Sequence, residues 1–245
     1  MTYFFDTVET IPEGVGFATY GGIHLAWLGV FLLLTVGCCL HYRSLSPKGR
    51  KIWQWVVAGL LLADEVYKQV FLLIGGNWMP SYLPLHLCSI NIFLALVYTV
   101  RPSKALGNFL YTVCIPGALA ALLFPSWGSL PLENFMHIHS FTVHILLALF
   151  PLVLTVGGDI CPAPRQILPC VGILVGLAVV MYFINPLLDA NFFFLAYAEE
   201  GNPLYIFQQL WGSHLLGFPV LVAGVMLVMH GPVALVRRLR KKTAV

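Results

Sequence analysis

One cysteine and a row of histidines are the residues of this chain best suited to nucleophilic chemistry. Cys88 lies in the stretch "YLPLHLCSINIFLAL", and three histidines, His137, His139 and His144, lie in "ENFMHIHSFTVHILLALFP". A cysteine with an adjacent base is the usual arrangement for forming an acyl-thioester. Because apolar surroundings disfavour the thiolate, Cys88 would need a cation or a base close by.

The composition indicates an integral membrane protein. Of the 245 residues, 59% are hydrophobic and 9% are charged, and the mean hydropathy is +0.87. Soluble domains are about one quarter charged, and a bilayer core needs roughly 20 apolar residues per helix. Seven segments satisfy this requirement: 20–41, 52–74, 83–100, 105–124, 134–157, 165–188 and 211–236. We therefore expect an all-α polytopic protein in which residues 1–245 form a single bundle of seven transmembrane helices.

The distribution of cations predicts the orientation of this bundle. Apart from Lys68, every Lys and Arg lies on the connections after segments one, three and five or in the tail after segment seven. The positive-inside bias then gives an outside N-terminus and an inside C-terminus. The basic tail "RRLRKK" is typical of contact with anionic lipid heads rather than with nucleic acid. We expect a multi-pass protein of the cell membrane with membrane lipids as partners and no nucleic acid.

The helical rise places several polar side chains at a similar depth in the outer half of the membrane. Cys88 is predicted roughly 7–8 Å below the outer end of segment three, and Lys68 about 9 Å below the same surface. On a regular helix Asn91 shares the stripe of Cys88, whereas His86 points nearly opposite. Any base for the thiol is therefore expected from another helix.

The histidines of segment five divide between two faces. His137 and His144 share one stripe by their spacing, with His139 turned away. Histidines in helices are also common as hydrogen-bonded core residues, so the pattern alone leaves both interpretations open.

Three charges interrupt the apolar run of segment two, namely Asp64, Glu65 and Lys68. Charges inside a membrane are costly and usually face a partner or a wet cavity. Their spacing predicts an i, i+4 pair between Asp64 and Lys68 and a cluster that points into the bundle. The sequence leaves open whether this cluster is a structural clamp and whether Lys68 also faces the thiol.

The other five cysteines lie away from the predicted outer polar layer. Cys88 therefore has no disulfide partner at its depth, and the Cys and His spacings lack the pairs typical of zinc sites. We expect no metal and no cofactor. A lone buried cysteine is often only a small core residue, so this interpretation of Cys88 also stays open.

Three stretches resemble a known family: "LPLHLCSINIF" at 83–93, "ENFMHIHSFTVHILLALFP" at 133–151, and "MYFINPLLDANFFFL" with its following "GNPLYIFQQLWG". They are similar to the YwaF-like bacterial integral membrane proteins and, through them, to the eukaryotic transmembrane protein 164 family. Those relatives are regarded as acyltransferases that act on lipids through a cysteine and a histidine. The resemblance implies a nucleophile at Cys88, a base at His144 with His137 and His139 as competitors, and a matching outer-loop asparagine at Asn191.

Together these observations favour a lipid acyltransferase or acyl-lipid hydrolase with a membrane-embedded thiol. Cys88 would attack, His144 would serve as the base, and Asn91 or Asn191 would donate a hydrogen bond to the oxyanion. Two alternatives without covalent chemistry stay open. One is a seven-helix lipid-binding sensor, and the other is a proton-coupled transporter that uses the charges of segment two as a relay.

Overall fold

The computed structural model describes residues 3–198 and 203–242, and all regular structure in these ranges is helical, as expected. The α-helices are α1 (Gly22–Ser44), α2 (Pro47–Gly75), α3 (Leu87–Val100), α4 (Lys104–Phe109), α5 (Ile115–Leu123), α6 (Phe135–Gly157), α7 (Ile167–Leu188), α8 (Pro203–Trp211) and α9 (Gly217–Lys242). A π-helical turn, Leu110–Cys114, joins α4 to α5. Short 3-10 turns lie at Pro80–Tyr82, Pro164–Gln166, Phe192–Phe194 and His214–Leu216.

Six stretches of the described chain are long and apolar enough to cross a membrane, which supports a multi-pass membrane protein. They are Gly22–Ser44, Pro80–Val100, Lys104–Leu123, Phe135–Gly157, Pro164–Leu188 and His214–Leu235. Helix α2, with 29 residues, is long enough for a further span, but it carries the charged residues Asp64, Glu65 and Lys68. The predicted seventh span and the orientation of the termini stay predictions.

Helix α6 forms the centre of the bundle. It packs against α1, α2, α3 and α5, and more than half of its residues are buried. Its first turn is capped by Asn134, whose Oδ1 accepts hydrogen bonds from the backbone N–H groups of Met136 and His137 at 2.8 and 3.2 Å. An asparagine at this position satisfies amides that have no partner within the helix. The histidines of α6 are therefore held on the most enclosed helix.

The beginning of α3 differs from the prediction. Segment three was expected to be helical from residue 83, but Leu83 is extended (φ −54°, ψ 148°) because it precedes Pro84. His86 is also extended and forms the N-cap, so the α-helix begins at Leu87. Cys88 consequently lies in the first turn of α3 rather than more than a turn inside it. The expectation that His86 and Cys88 share one regular helix is therefore wrong, and the depth of Cys88 in the membrane stays a prediction.

The fourth predicted segment, 105–124, is also not one continuous α-helix. Its π-helical turn lies just before Pro116, which lacks an N–H and cannot bond the carbonyl of Thr112. A π turn inserts one extra residue into a helix and changes which side chains face its neighbours. Here it directs Tyr111 and Thr112 towards α9.

The residues before α1 cover the end of the bundle at which α6 begins. The side chain of Asn134 donates to the backbone oxygens of Tyr3 and Asp6 at 2.7 and 2.8 Å. Phe4 and Phe5 pack against Phe71 of α2 and Phe135 of α6. At the opposite end of the chain, Arg238 is the residue of the basic tail 237–242 whose side chain the structure describes.

Candidate functional site

A buried ion pair joins two residues of α2. Lys68 Nζ lies 2.7 Å from Glu65 Oε1, and the two side chains are only 7% and 4% exposed. Gln69 Nε2 donates to Glu65 Oε1 at 2.8 Å, and Ser89 Oγ of α3 donates to Oε2 at 3.5 Å. The predicted pair between Lys68 and Asp64 is therefore wrong, because Glu65 is the partner of the lysine.

Asp64 instead faces α6. Its Oδ2 lies 3.2 Å from His139 Nδ1, at ion-pair distance but without the angle of a hydrogen bond. The Oδ1 atom accepts a hydrogen bond of 3.1 Å from Thr142. The consecutive carboxylates of α2 thus serve two helices, with Asp64 directed to α6 and Glu65 to α3. The expectation of a charged cluster that points into the bundle is confirmed.

Cys88 lies beside this cluster, at the amino end of α3. The first-turn amides of a helix carry a partial positive charge that favours a nearby anion. Lys68 of α2 and the buried thiol of Cys114 both lie near Cys88. The Cys88 side chain is half-buried against the apolar core. Within residues 3–198 and 203–242, no hydrogen bond connects its thiol to a histidine.

His86 holds the turn that precedes Cys88. Its Nε2 lies 3.1 Å from the Ser81 carbonyl oxygen, and its ring packs edge-on against Phe192 at a centroid distance of 4.9 Å. Lys68 and Glu65 are near enough to interact with it electrostatically. His86 therefore links the entry to α3, the charged cluster and the turn at Phe192–Phe194.

His137 and His144, which share one face of α6, differ in whether a ring nitrogen is left without a hydrogen-bond partner. His137 Nε2 accepts from Trp27 Nε1 at 3.0 Å, and its Nδ1 lies 3.0 Å from the Leu130 carbonyl, so both nitrogens have partners. His144 Nδ1 lies 2.6 Å from the Ser140 carbonyl. Since a carbonyl accepts, Nδ1 carries the proton and Nε2 keeps its lone pair.

The ring of His144 is also fixed from its face. It stacks on Trp127 at a centroid distance of 5.3 Å and an angle of 9°. Asp64 and His139 both act on it electrostatically. His144 and His139 are therefore the two histidines of α6 that keep a nitrogen without a hydrogen bond, whereas His137 is a satisfied core residue.

The two asparagines proposed as oxyanion donors have different surroundings. Asn91 is 3% exposed, lies one turn after Cys88, and its Oδ1 has no hydrogen-bond partner in the described part of the chain. Asn191 uses its whole amide within its own loop. Its Nδ2 donates to the Tyr197 carbonyl at 3.0 Å, and its Oδ1 accepts from the Ala196 N–H at 3.0 Å. The donor atom Nδ2 of Asn191 is thus committed to its own loop, whereas no hydrogen bond within the described residues occupies Nδ2 of Asn91.

Three residues of this region were not predicted from the sequence. Gln69 follows Glu65 by four residues, and helical spacing would have identified it. Ser89 adjoins Cys88 but shows no distinguishing pattern. Trp127 lies in the connection from α5 to α6, where no periodicity applies, and its buried Nε1 lacks a hydrogen-bond partner among the described residues. Across those same residues, no group of three or more His, Cys, Asp or Glu side chains is arranged to hold a metal ion.

The buried ion pair makes a direct prediction for stability. Lys68→Met should destabilise the protein by about 3–5 kcal/mol, because it leaves the Glu65 carboxylate buried without its cation. The double variant Glu65→Gln/Lys68→Met should recover most of this loss, since neither charge remains. Thermal unfolding in detergent would measure both effects.

The half-exposed pair between Arg50 and Asp159, at 3.2 Å, provides the matched control. Asp159→Asn should change stability by at most about 1 kcal/mol, because solvent screens such pairs. A double variant as unstable as Lys68→Met alone would contradict the assignment of the pair.

Comparison with known families places this arrangement in context. No match was found among curated proteins or among solved structures. The sequence model of the TMEM164 family matches residues 19–230 of this chain. This range contains the charged residues of α2, Cys88 and the histidines of α6. Because this match covers most of the 245 residues, the chain belongs to the TMEM164 family.

Proposed function

We propose that this protein is a membrane-embedded lipid acyltransferase or acyl-lipid hydrolase with Cys88 as nucleophile. The observation that carries the proposal is the position of the thiol, in the first turn of α3 and within electrostatic reach of Lys68. A helix amino terminus and a nearby cation both favour a thiolate. They oppose the effect of the apolar core against which Cys88 packs.

The reaction would begin with attack of the Cys88 sulfur on the ester carbonyl of a lipid. The C–S bond forms, the carbonyl π electrons move to oxygen, and the first-turn amides of α3 and the amide of Asn91 stabilise that oxyanion. Collapse breaks the ester C–O bond and leaves an acyl-thioester on Cys88. A second alcohol in a transferase, or water in a hydrolase, then attacks the thioester carbonyl. The new C–O bond forms, the C–S bond breaks, and the Cys88 thiolate leaves and regains the proton that His144 took from the attacking group.

His144 would carry the protons of both steps. Its free Nε2 accepts the thiol proton, returns it to the departing alkoxide, and then activates the second alcohol or water. Trp127 and the Ser140 carbonyl hold the ring in the tautomer that this role needs. The proposal requires that thiol and imidazole meet when the lipid is bound, as catalytic groups often tighten only with substrate.

We further propose that α2 completes seven spans, with the N-terminus outside and the C-terminus inside the cell membrane. The buried charges of α2 support this because α3 and α6 shield them on both sides. A fluorescent protein fused after Val245 should fluoresce in cells, and alkaline phosphatase fused there should be inactive. The reverse pattern would contradict the orientation and would place Cys88 near the inner leaflet.

Removal of the nucleophile should abolish covalent labelling. We expect a lipid-like electrophilic thiol reagent to label the wild-type protein in native membranes and Cys88→Ala to lose that label. Cys114→Ala is the matched control, because it removes the neighbouring buried thiol and should leave labelling in place. Equal labelling of wild type and Cys88→Ala, with both variants folded by size-exclusion chromatography, would refute the nucleophile assignment.

The choice of base can be tested among the histidines of α6. His144→Gln should lower the acyl-transfer rate about 10²-fold or more, the usual contribution of a general base. His137→Gln should instead lower the unfolding temperature, because both of its ring nitrogens are hydrogen-bonded in the core. Rates of lipid acyl exchange and detergent melting curves would separate the two effects. If His139→Gln rather than His144→Gln removes the activity, the base is the histidine beside Asp64.

A further inference from the structure

A long apolar groove separates α7 from α9, away from the charged cluster of α2. Its volume is about 570 Å³, and its walls include Ile167 and Val171 of α7 and Val222 and Met226 of α9. Helix α7 packs mainly against α4 and the turn at Phe192–Phe194, while α9 packs against the π turn, α8 and the turn at His214–Leu216. The two helices therefore make few direct contacts with each other, and the groove between them opens to the surface of the bundle.

Hydrogen bonds from the π turn hold α9 in this position. Tyr111 donates to the Met229 carbonyl at 2.8 Å, and Thr112 Oγ1 lies 2.9 Å from His230 Nε2. His230 is 2% exposed and forms part of the groove wall. Hydrogen bonds in apolar surroundings have no competing water, so they fix α9 against the π turn. The position of α9 against the π turn is thus a property of the fold, and so is the groove beside it.

Positive charge surrounds one end of the groove. Pro164 and Ala234 line that end. Arg165 follows Pro164 directly, and Arg238 lies one helical turn after Ala234 on the same side of α9. Both arginines are exposed, and neither takes part in an ion pair with another described residue. The groove therefore combines an apolar lining with two exposed arginines that lie close in sequence to residues lining one end of it.

We propose that this groove is a binding site for an anionic phospholipid. One acyl chain would lie between α7 and α9, and the phosphate would sit between Arg165 and Arg238. Guanidinium groups suit phosphate because their planar donors bind two oxygens at once. An apolar gap alone gives no preference among lipids, since acyl chains are alike, so the headgroup charge supplies the selectivity.

Photoreactive lipids provide the test. The full-length protein would be reconstituted in phosphatidylcholine vesicles that contain phosphatidylglycerol with a photoreactive acyl chain. After irradiation, we expect the label on peptides that cover 164–171 and 219–234. Arg165→Gln and Arg238→Gln should each lower phosphatidylglycerol labelling about fivefold, the effect of one surface cation near anionic lipid. Arg101→Gln, which removes an exposed arginine away from the groove, is the matched control and should change nothing.

A groove-filling variant and a neutral photoreactive lipid provide a second test of the site. Ala234→Trp should fill the mouth of the groove and remove the label, while melting curves show whether the variant is folded. If a photoreactive phosphatidylcholine labels the same peptides equally well, or if both arginine variants label like wild type, the headgroup site is refuted. Cross-links between two copies of the chain through this face, in place of lipid label, would also overturn it.

Discussion

The enclosure of three charges of α2, with Glu65 and Lys68 buried and Asp64 15% exposed, is the constraint on which the rest of the bundle depends. Moving a single ion out of water costs several kcal/mol unless a partner compensates. Glu65 and Lys68 meet this requirement together, and Asp64 meets it through α6. Because Asp64 and Glu65 are consecutive, their side chains leave α2 in different directions. The contacts of α2 with α3 through Ser89, and with α6 through His139 and Thr142, therefore enclose the two carboxylates from different sides.

This packing also determines the surroundings of the thiol. Lys68 forms its ion pair with Glu65, and the Cys88 thiol lies beside that pair. Ser89 and Gln69 donate to Glu65 and stabilise its charge without using the lysine further.

Much of the helical architecture could be predicted from the hydropathy of the sequence, because apolar runs of this length in so hydrophobic a chain are typical of transmembrane helices. The inward-facing cluster of α2 also follows, since charges in such a helix need partners. The features that differ from the sequence prediction depend on contacts between different helices and loops, which the periodicity of one helix cannot reveal. Lys68 has acidic residues at both i−3 and i−4, and the α6 residues His139 and Thr142 occupy the carboxylate at i−4. Pro84 delays the start of α3, and this moves Cys88 to a helix amino terminus. Trp127 reaches His144 from a loop.

The central claim is that Cys88 carries an acyl group during turnover. The most direct measurement is peptide mass spectrometry of the purified protein after incubation with a phospholipid whose acyl chains are isotopically labelled. We expect the peptide that contains Cys88 to gain the mass of one labelled acyl chain, and hydroxylamine, which cleaves thioesters, to remove it. An active preparation in which that peptide never gains the acyl mass, or in which another residue carries it, would contradict the claim.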